Sequence, residues 1–166
     1  LLDHAVVLYR MEQPERRKVK LLQCVNDMVS NFAPSAELRD IEIKVESNIS
    51  TVLELYLDQT LLETALRNLL DNAVKYSEAE ATISIRINAF SDRCRISVRN
   101  RSATMIKIDT DLMVKRFSRG DNATNVVGSG LGLAIVREVM LALGGKLEID
   151  FEDGGVLCAS LSLSLR

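Results

Sequence analysis

A chain of 166 residues, 47% hydrophobic and 27% charged, has the composition of one globular domain able to bury a core without disulfide or metal staples, which excludes a disordered segment. A formal net charge of −2 argues against a chain-wide attraction to nucleic acid or an anionic membrane, although a local basic cluster lies at Lys115, Arg116 and Arg119. No apolar run is long enough to span a bilayer and no signal peptide is visible.

Residues 1–12 read as the end of a helix, with Leu1, Ala5 and Leu8 on one stripe and Leu2, Val6 and Tyr9 beside it. So short a helix needs a packing partner, and Pro14 ends it. Residues 17–20 suit a short edge strand. A second helix runs from about Leu21 to Phe32 on an apolar face of Leu21, Leu22, Val25, Met28, Val29 and Phe32. Ile41, Ile43 and Val45 alternate as a strand over 41–46, and 51–57 resembles another. The third helix is the clearest element: Asp58 offers an N-cap, and Leu61, Leu62, Ala65, Leu66, Leu69, Leu70, Ala73 and Val74 follow a helical period. Ile83, Ile85 and Ile87, then Ile96 and Val98, mark two strands joined by a hairpin link from Ala89 to Arg93. Residues 100–127 are polar and irregular, with one turn of helix near Asp111–Lys115, and a stretch of that length is as a rule functional or mobile. The run Gly128-Ser129-Gly130-Leu131-Gly132 opens a fourth helix that ends at Gly144-Gly145, and strands at 146–151 and 156–165 flank Gly154-Gly155. This order predicts an α/β two-layer sandwich, a mixed sheet covered on one face by helices.

Two features carry chemistry. On the third helix Asn68, Asn72, Lys75 and Tyr76 are spaced to share one polar stripe opposite the leucines. An Asn amide oxygen suits Mg²⁺, which takes hard oxygen ligands, Lys75 suits a phosphate, and Tyr76 suits a base or ribose. The same stripe also suits an ordinary solvated helix face, but two asparagines in a helix interior weaken it and ask for a reason. The glycine run leads straight into an apolar helix, where backbone N–H groups and the helix dipole bind phosphate; a tight loop without a ligand is the other reading. It lacks the Gly-Lys-Ser/Thr of a Walker A loop and the spacing of a dinucleotide fingerprint. The three cysteines, Cys24, Cys94 and Cys158, are far apart and form no CxxC pair, so they read as small hydrophobes in a reduced compartment, not as a zinc or redox site.

Taken together the motifs resemble the ATP-binding catalytic domain of sensor histidine kinases, a branch of the Bergerat-fold ATPase superfamily. Asn68-Leu-Leu-Asp-Asn72-Ala-Val-Lys75-Tyr76-Ser77 is similar to the family's N box, Arg116-Phe117-Ser118-Arg119-Gly120-Asp121 to its F box, and Gly128-Ser-Gly130-Leu131-Gly132-Leu-Ala-Ile-Val to its G2 box. The resemblance implies ATP and Mg²⁺ as ligands. Asn72 would hold the metal, Asn68 would assist at the phosphates, and Lys75 and Tyr76 would contact phosphate or ribose and the base. Phe117 would anchor an ATP lid over roughly 101–127 that orders on nucleotide, Arg119 would lie near the phosphates, and Gly128, Gly130, Leu131 and Gly132 would wrap the triphosphate. Gyrase-type ATPases and a heat-shock chaperone of the same fold carry a water-activating Glu where this chain has Asn68, which suits phosphoryl transfer to a protein and not ATP hydrolysis.

The G1 box departs from the family pattern. Its adenine-reading Asp would be Asn100, which still accepts a hydrogen bond but without a charge, and its glycines are replaced by Ser102 and Thr104. If the backbone needs a positive φ there, the substitutions carry strain. The only histidine, His4, lacks the surroundings of the family's phosphoacceptor, so the acceptor would lie upstream of a chain that opens in mid-pattern at Leu1. The expectation is therefore a kinase catalytic domain over 14–166, with 1–13 the tail of the dimerisation and phosphoacceptor helices. It would be the cytoplasmic domain of an inner-membrane sensor that dimerises in full length, passes phosphate to its own dimerisation domain and then to a response regulator, and does not bind nucleic acid. A pseudokinase scaffold that binds partners but no nucleotide is the alternative, and a serine-directed anti-sigma-type kinase is a third reading that the helical stub before Pro14 argues against.

Overall fold

The structure, a computed structural model, describes residues 4–102 and 131–165. The elements are α1 (His4–Glu12), β1 (Arg16–Lys20), α2 (Leu21–Glu37), β2 (Glu42–Ser47), β3 (Glu54–Asp58), α3 (Gln59–Tyr76), β4 (Thr82–Ala89), β5 (Arg93–Arg101), α4 (Leu131–Ala142), β6 (Lys146–Glu152) and β7 (Val156–Ser164). One mixed sheet of five strands has the order β2-β4-β5-β7-β6, and β1 pairs with β3 in a separate ribbon of two. β2 runs parallel to β4, from Glu42 opposite Thr82 to Ser47 opposite Ile87, and the other neighbours are antiparallel. A parallel pair needs a long crossover, and here β3 and α3 supply it. The predicted helical turn near Asp111–Lys115 lies outside the described residues.

The two faces of the sheet differ because its strands alternate. Ile83, Ile85 and Ile87 of β4, Cys94, Ile96, Val98 and Asn100 of β5, and Ala159, Leu161 and Leu163 of β7 are buried. They share a core with Leu61, Leu62, Leu66 and Leu70 of α3, Val136, Val139 and Met140 of α4, and Leu21, Val25 and Met28 of α2. Each large aliphatic side chain buried this way contributes about 2 kcal/mol of transfer free energy. The intervening strand residues carry ion pairs instead, Arg86 with Glu46 at 3.1 Å, Arg95 with Glu148 and Arg99 with Glu152. This is the predicted two-layer arrangement. Among the described residues no helix is long and apolar enough to cross a membrane.

Two boundaries differ from expectation by three residues or more. α2 continues to Glu37, five residues past Phe32, with Pro34 inside it. Proline removes only its own donor; the Pro34 carbonyl still accepts from Leu38 N–H at 3.3 Å, and the extra turn buries Ala36. The strand expected over 51–57 begins only at Glu54, because Leu53 N–H closes a turn onto Ser50 O at 3.0 Å. At the other end of the chain the Gly144-Gly145 stop works by close approach. Gly144 has φ +73, and a Cβ on Gly145 would collide with the Ser162 carbonyl.

Asp58 joins three elements. It is 1% exposed. One carboxylate oxygen accepts from Leu61 N–H at 3.1 Å and so caps α3, as expected from the sequence. The other accepts from Glu15 N–H at 2.7 Å and lies 3.5 Å from the Arg10 guanidinium. Asp58→Ala is therefore expected to lower stability by about 2 kcal/mol, through a lost cap and orphaned buried donors, with Asp58→Asn milder. Urea unfolding checks this, and variants as stable as the wild type would refute the reading.

Burial also sorts the thiols. It pushes the Cys24 thiol up to about 12, with Glu63 and Asp27 adding to the effect, and the Cys94 thiol up to about 11. Cys158 is only half-buried, on the charged face of the sheet. Near pH 8 a raised pKa leaves Cys24 and Cys94 as unreactive thiols. A disulfide reagent added to the native protein is expected to modify Cys158 quickly and the other two only on unfolding; rapid modification of all three would contradict this core.

Candidate functional site

The two asparagines of the α3 polar stripe lie against the first turn of α4, whereas Lys75 is exposed. A Cβ placed on Gly132, in the first turn of α4, would lie 3.2 Å from Asn68 Oδ1, 3.4 Å from Asn72 Nδ2 and 3.5 Å from Asn72 Oδ1. A side chain at this position would press on the Asn68 amide, which would have to shift by a few tenths of an ångström. Asn68 spends its donor within its own helix, Nδ2 to Thr64 O at 2.8 Å, and Thr64 Oγ1 does the same to Thr60 O at 2.8 Å. These back-bonds satisfy polar groups that would otherwise weaken the helix. They leave Asn68 Oδ1 directed at Gly132, while the Asn72 amide has no hydrogen-bond partner among the described residues. The first N–H groups of α4 lack intrahelical acceptors and carry the positive end of the helix dipole. Two amides and a helix N-terminus thus converge on one point.

One turn further along α3, Lys75 Nζ donates to Asp71 Oδ2 at 2.8 Å, an i,i+4 pair. That hydrogen bond raises Lys75 above the ordinary ammonium range, so it stays charged. Tyr76 is half-buried at the helix end. Ser77 then bridges to Ser102, and Glu78 N–H donates to Arg101 O at 3.1 Å, which draws the end of α3 against the end of β5.

Asn100 lies on the last buried position of β5, 3% exposed and on the helix-covered face, and its Nδ2 has no partner. An unpaired buried amide costs free energy, and this one lies near the end of α3 with no acceptor among the described residues. Ser102, in place of a family glycine, is held in extended backbone by its N–H to Gly155 O at 2.9 Å and by the bridge to Ser77. Positive φ among non-glycine described residues occurs only at Asp40 and Glu80. The strain considered for this loop is thus absent at Ser102, which forms an isolated antiparallel bridge to Ser77 just past the end of β5.

The structure therefore brings Asn68, Asn72 and Gly132 together and sets Lys75, Tyr76 and Asn100 around the adjoining end of α3. Phe117, Arg119, Gly128, Gly130 and Thr104 lie outside the described residues, as does the side chain of Leu131. Sequence reasoning missed Arg39. Its guanidinium donates from the α2–β2 turn to the carbonyls of Val74, Lys75 and Ser77 at the C-terminus of α3. No periodicity or spacing points to this contact, which spans 35 to 38 residues of sequence.

The model of the family described as histidine kinase-, DNA gyrase B- and HSP90-like ATPases matches residues 57–166. The chain is 33% identical over 143 residues to the sensor-like histidine kinase SenX3 of Mycobacterium tuberculosis, covering 85% of this chain and 34% of that protein. It is also 33% identical over 149 residues to the sensor histidine kinase MtrB of Mycobacterium leprae, covering 89% and 26%. The chain thus spans about a quarter to a third of the curated relatives it matches. Among solved structures, the nucleotide-free catalytic domain of the histidine kinase ThkA shares the fold at TM-score 0.75 and 21% identity, over 90% of this chain and 97% of that one. Full-length ShkA in complex with AMPPNP shares it at TM-score 0.74 and 23% identity, over 96% and 34%.

Proposed function

The chain belongs to the histidine kinase-, DNA gyrase B- and HSP90-like ATPase family, and from that premise we propose that it binds Mg·ATP between α3 and α4 as the catalytic domain of a sensor histidine kinase. The observation that carries the reading is the convergence of Asn68, Asn72 and the first turn of α4 at Gly132. A helix N-terminus attracts phosphate, and an amide oxygen beside it suits the divalent ion that accompanies a triphosphate.

The residues present fit such a ligand. Asn72, with no partner of its own among the described residues, would hold Mg²⁺, which when bound neutralises phosphate charge. Asn68 Oδ1 faces the same point and would assist there. Lys75, kept charged by Asp71, would approach a phosphate or the ribose, and Tyr76 the ribose or base. Asn100, with its buried unpaired Nδ2, would read the base edge. Among the G2 residues Gly132 belongs to the described part; Gly128, Gly130 and Leu131 would complete the phosphate cradle, with Phe117 and Arg119 near it. Neither Asn68 nor Asn72 is a base strong enough to deprotonate water, so these side chains position and neutralise. That suits transfer of the γ-phosphate to a protein histidine. His4 opens α1 and is exposed, away from any acceptor motif, so the acceptor belongs to a dimerisation domain, of which residues 1–13 form the tail and 14–166 the catalytic domain. Exposed Val6, Leu8 and Tyr9 on α1 support a helical partner there. A response regulator would receive the phosphate, the intact protein would be a dimer, and this domain would lie on the cytoplasmic side of a membrane sensor, as the names of its relatives suggest.

Calorimetric titration with Mg·ADP and with a non-hydrolysable ATP analogue tests this. Saturable binding is expected, weakened roughly tenfold or more in Asn72→Ala, which corresponds to one lost ligand group. No heat and no thermal stabilisation of the wild type at millimolar nucleotide would remove the kinase reading and leave a partner-binding scaffold.

A further inference from the structure

We propose that Arg39 is a positioning residue for nucleotide binding, fixing the end of α3 against the end of β5 from outside the family's motifs; the inference rests on the nucleotide site described above. Arg39 lies in the turn between α2 and β2, upstream of the region 57–166 that matches the family model. Its guanidinium reaches the C-terminus of α3. Nη1 donates to Val74 O and to Lys75 O, the latter at 3.0 Å, and Nη2 donates to Ser77 O at 2.7 Å. The last carbonyls of a helix have no donors of their own and carry the negative end of its dipole. A planar fork can serve several of them at once, whereas an ammonium is a point charge.

The backbone continues the connection. Arg39 O accepts from Glu80 N–H at 3.2 Å, and Glu42 N–H donates to Ala81 O at 3.1 Å. Asp40 and Glu80, one on each side of this contact, adopt φ 55 and 61, conformations that non-glycine residues keep only where surroundings impose them. On the opposite side of the same segment, Glu78 N–H donates to Arg101 O at 3.1 Å and Ser77 bridges Ser102. Residues 77–81 are thus laced between the Arg39 turn and the end of β5. Arg39 holds the carbonyls of Val74, Lys75 and Ser77, the backbone that carries and flanks Lys75 and Tyr76, and through Ser77 and Glu78 it sets the backbone next to Asn100. Where the family pattern has glycines after β5, this chain has a strand end that must be held in register, and Arg39 anchors the other side of that register.

The test compares the chain with Arg39→Ala and Arg39→Lys, measuring Mg·ADP affinity at a temperature where circular dichroism shows each variant folded, and melting temperature separately. Positioning predicts an affinity loss of about tenfold in Arg39→Ala and a smaller loss in Arg39→Lys, with amide exchange accelerated at 75–80. A purely structural role predicts a lower melting temperature with wild-type affinity in the folded state, and that result overturns the proposal. If neither variant folds, the role is structural and the proposal fails. A wild type that binds no nucleotide overturns the nucleotide reading and this inference together, whereas a wild type that binds and variants that bind equally well overturn this inference alone.

Discussion

Everything at the site depends on how α3 is gripped. The helix buries Leu61, Leu62, Leu66 and Leu70 completely and must at the same time offer Asn68 and Asn72 to α4. These demands fix its rotation, since a shift of one residue turns a helix by about a hundred degrees and would carry an asparagine into the core. They do not fix its position along its axis. That is set by the ends, where Asp58 caps the first turn while tied to Glu15 and Arg10, and Arg39 collects the last carbonyls. Both groups carry the charge that complements the dipole at their end, and each ties α3 to a segment remote from its own end of the helix, residues 10–15 for one and the α2–β2 turn for the other.

The sheet supplies the second half of the grip and keeps its own faces distinct. Its helix-covered side is aliphatic until the last buried position of β5, where Asn100 interrupts it beside the end of α3. Its other side presents arginines of β4 and β5 matched by Glu46, Glu148 and Glu152. Ion pairs this exposed contribute about 0–1 kcal/mol each, so they do little for stability. They keep this face polar, and among the described residues the large apolar surface is buried on the helix side.

What was legible in the sequence follows from what is local. The leucine period of α3 and the Asp58 cap are both consequences of contacts within one turn, and the structure has them where they were expected. The polar stripe was legible as a face, but not as a face against Gly132, because helix–helix distance is a tertiary quantity. The β1–β3 ribbon and the parallel β2–β4 pair were not legible, since alternation identifies a strand without naming its neighbour. α2 runs past its expected end with Pro34 in its last turn, where the added residues bury Ala36, a tertiary contact that periodicity does not show. Arg39 carried no local pattern at all. Its value lies wholly in carbonyls 35 or more residues away, and an arginine in a turn looks the same whether it is solvated or bonded.

The departure at the end of β5 is best understood as one change and not as two losses. A carboxylate at a position 3% exposed would need a partner at all times, because an unpaired buried charge is far more costly than an unpaired buried amide. Asn100 removes that requirement and leaves one idle amide nitrogen. Past this neutral residue β5 ends at Arg101, and Ser102 forms an isolated bridge. Ser102 takes its N–H to Gly155 O and bridges Ser77, contacts that a left-handed glycine turn at that position would forfeit. The stability of the strand end is then supplied by the protein itself, through residues 77–81 and Arg39 behind them.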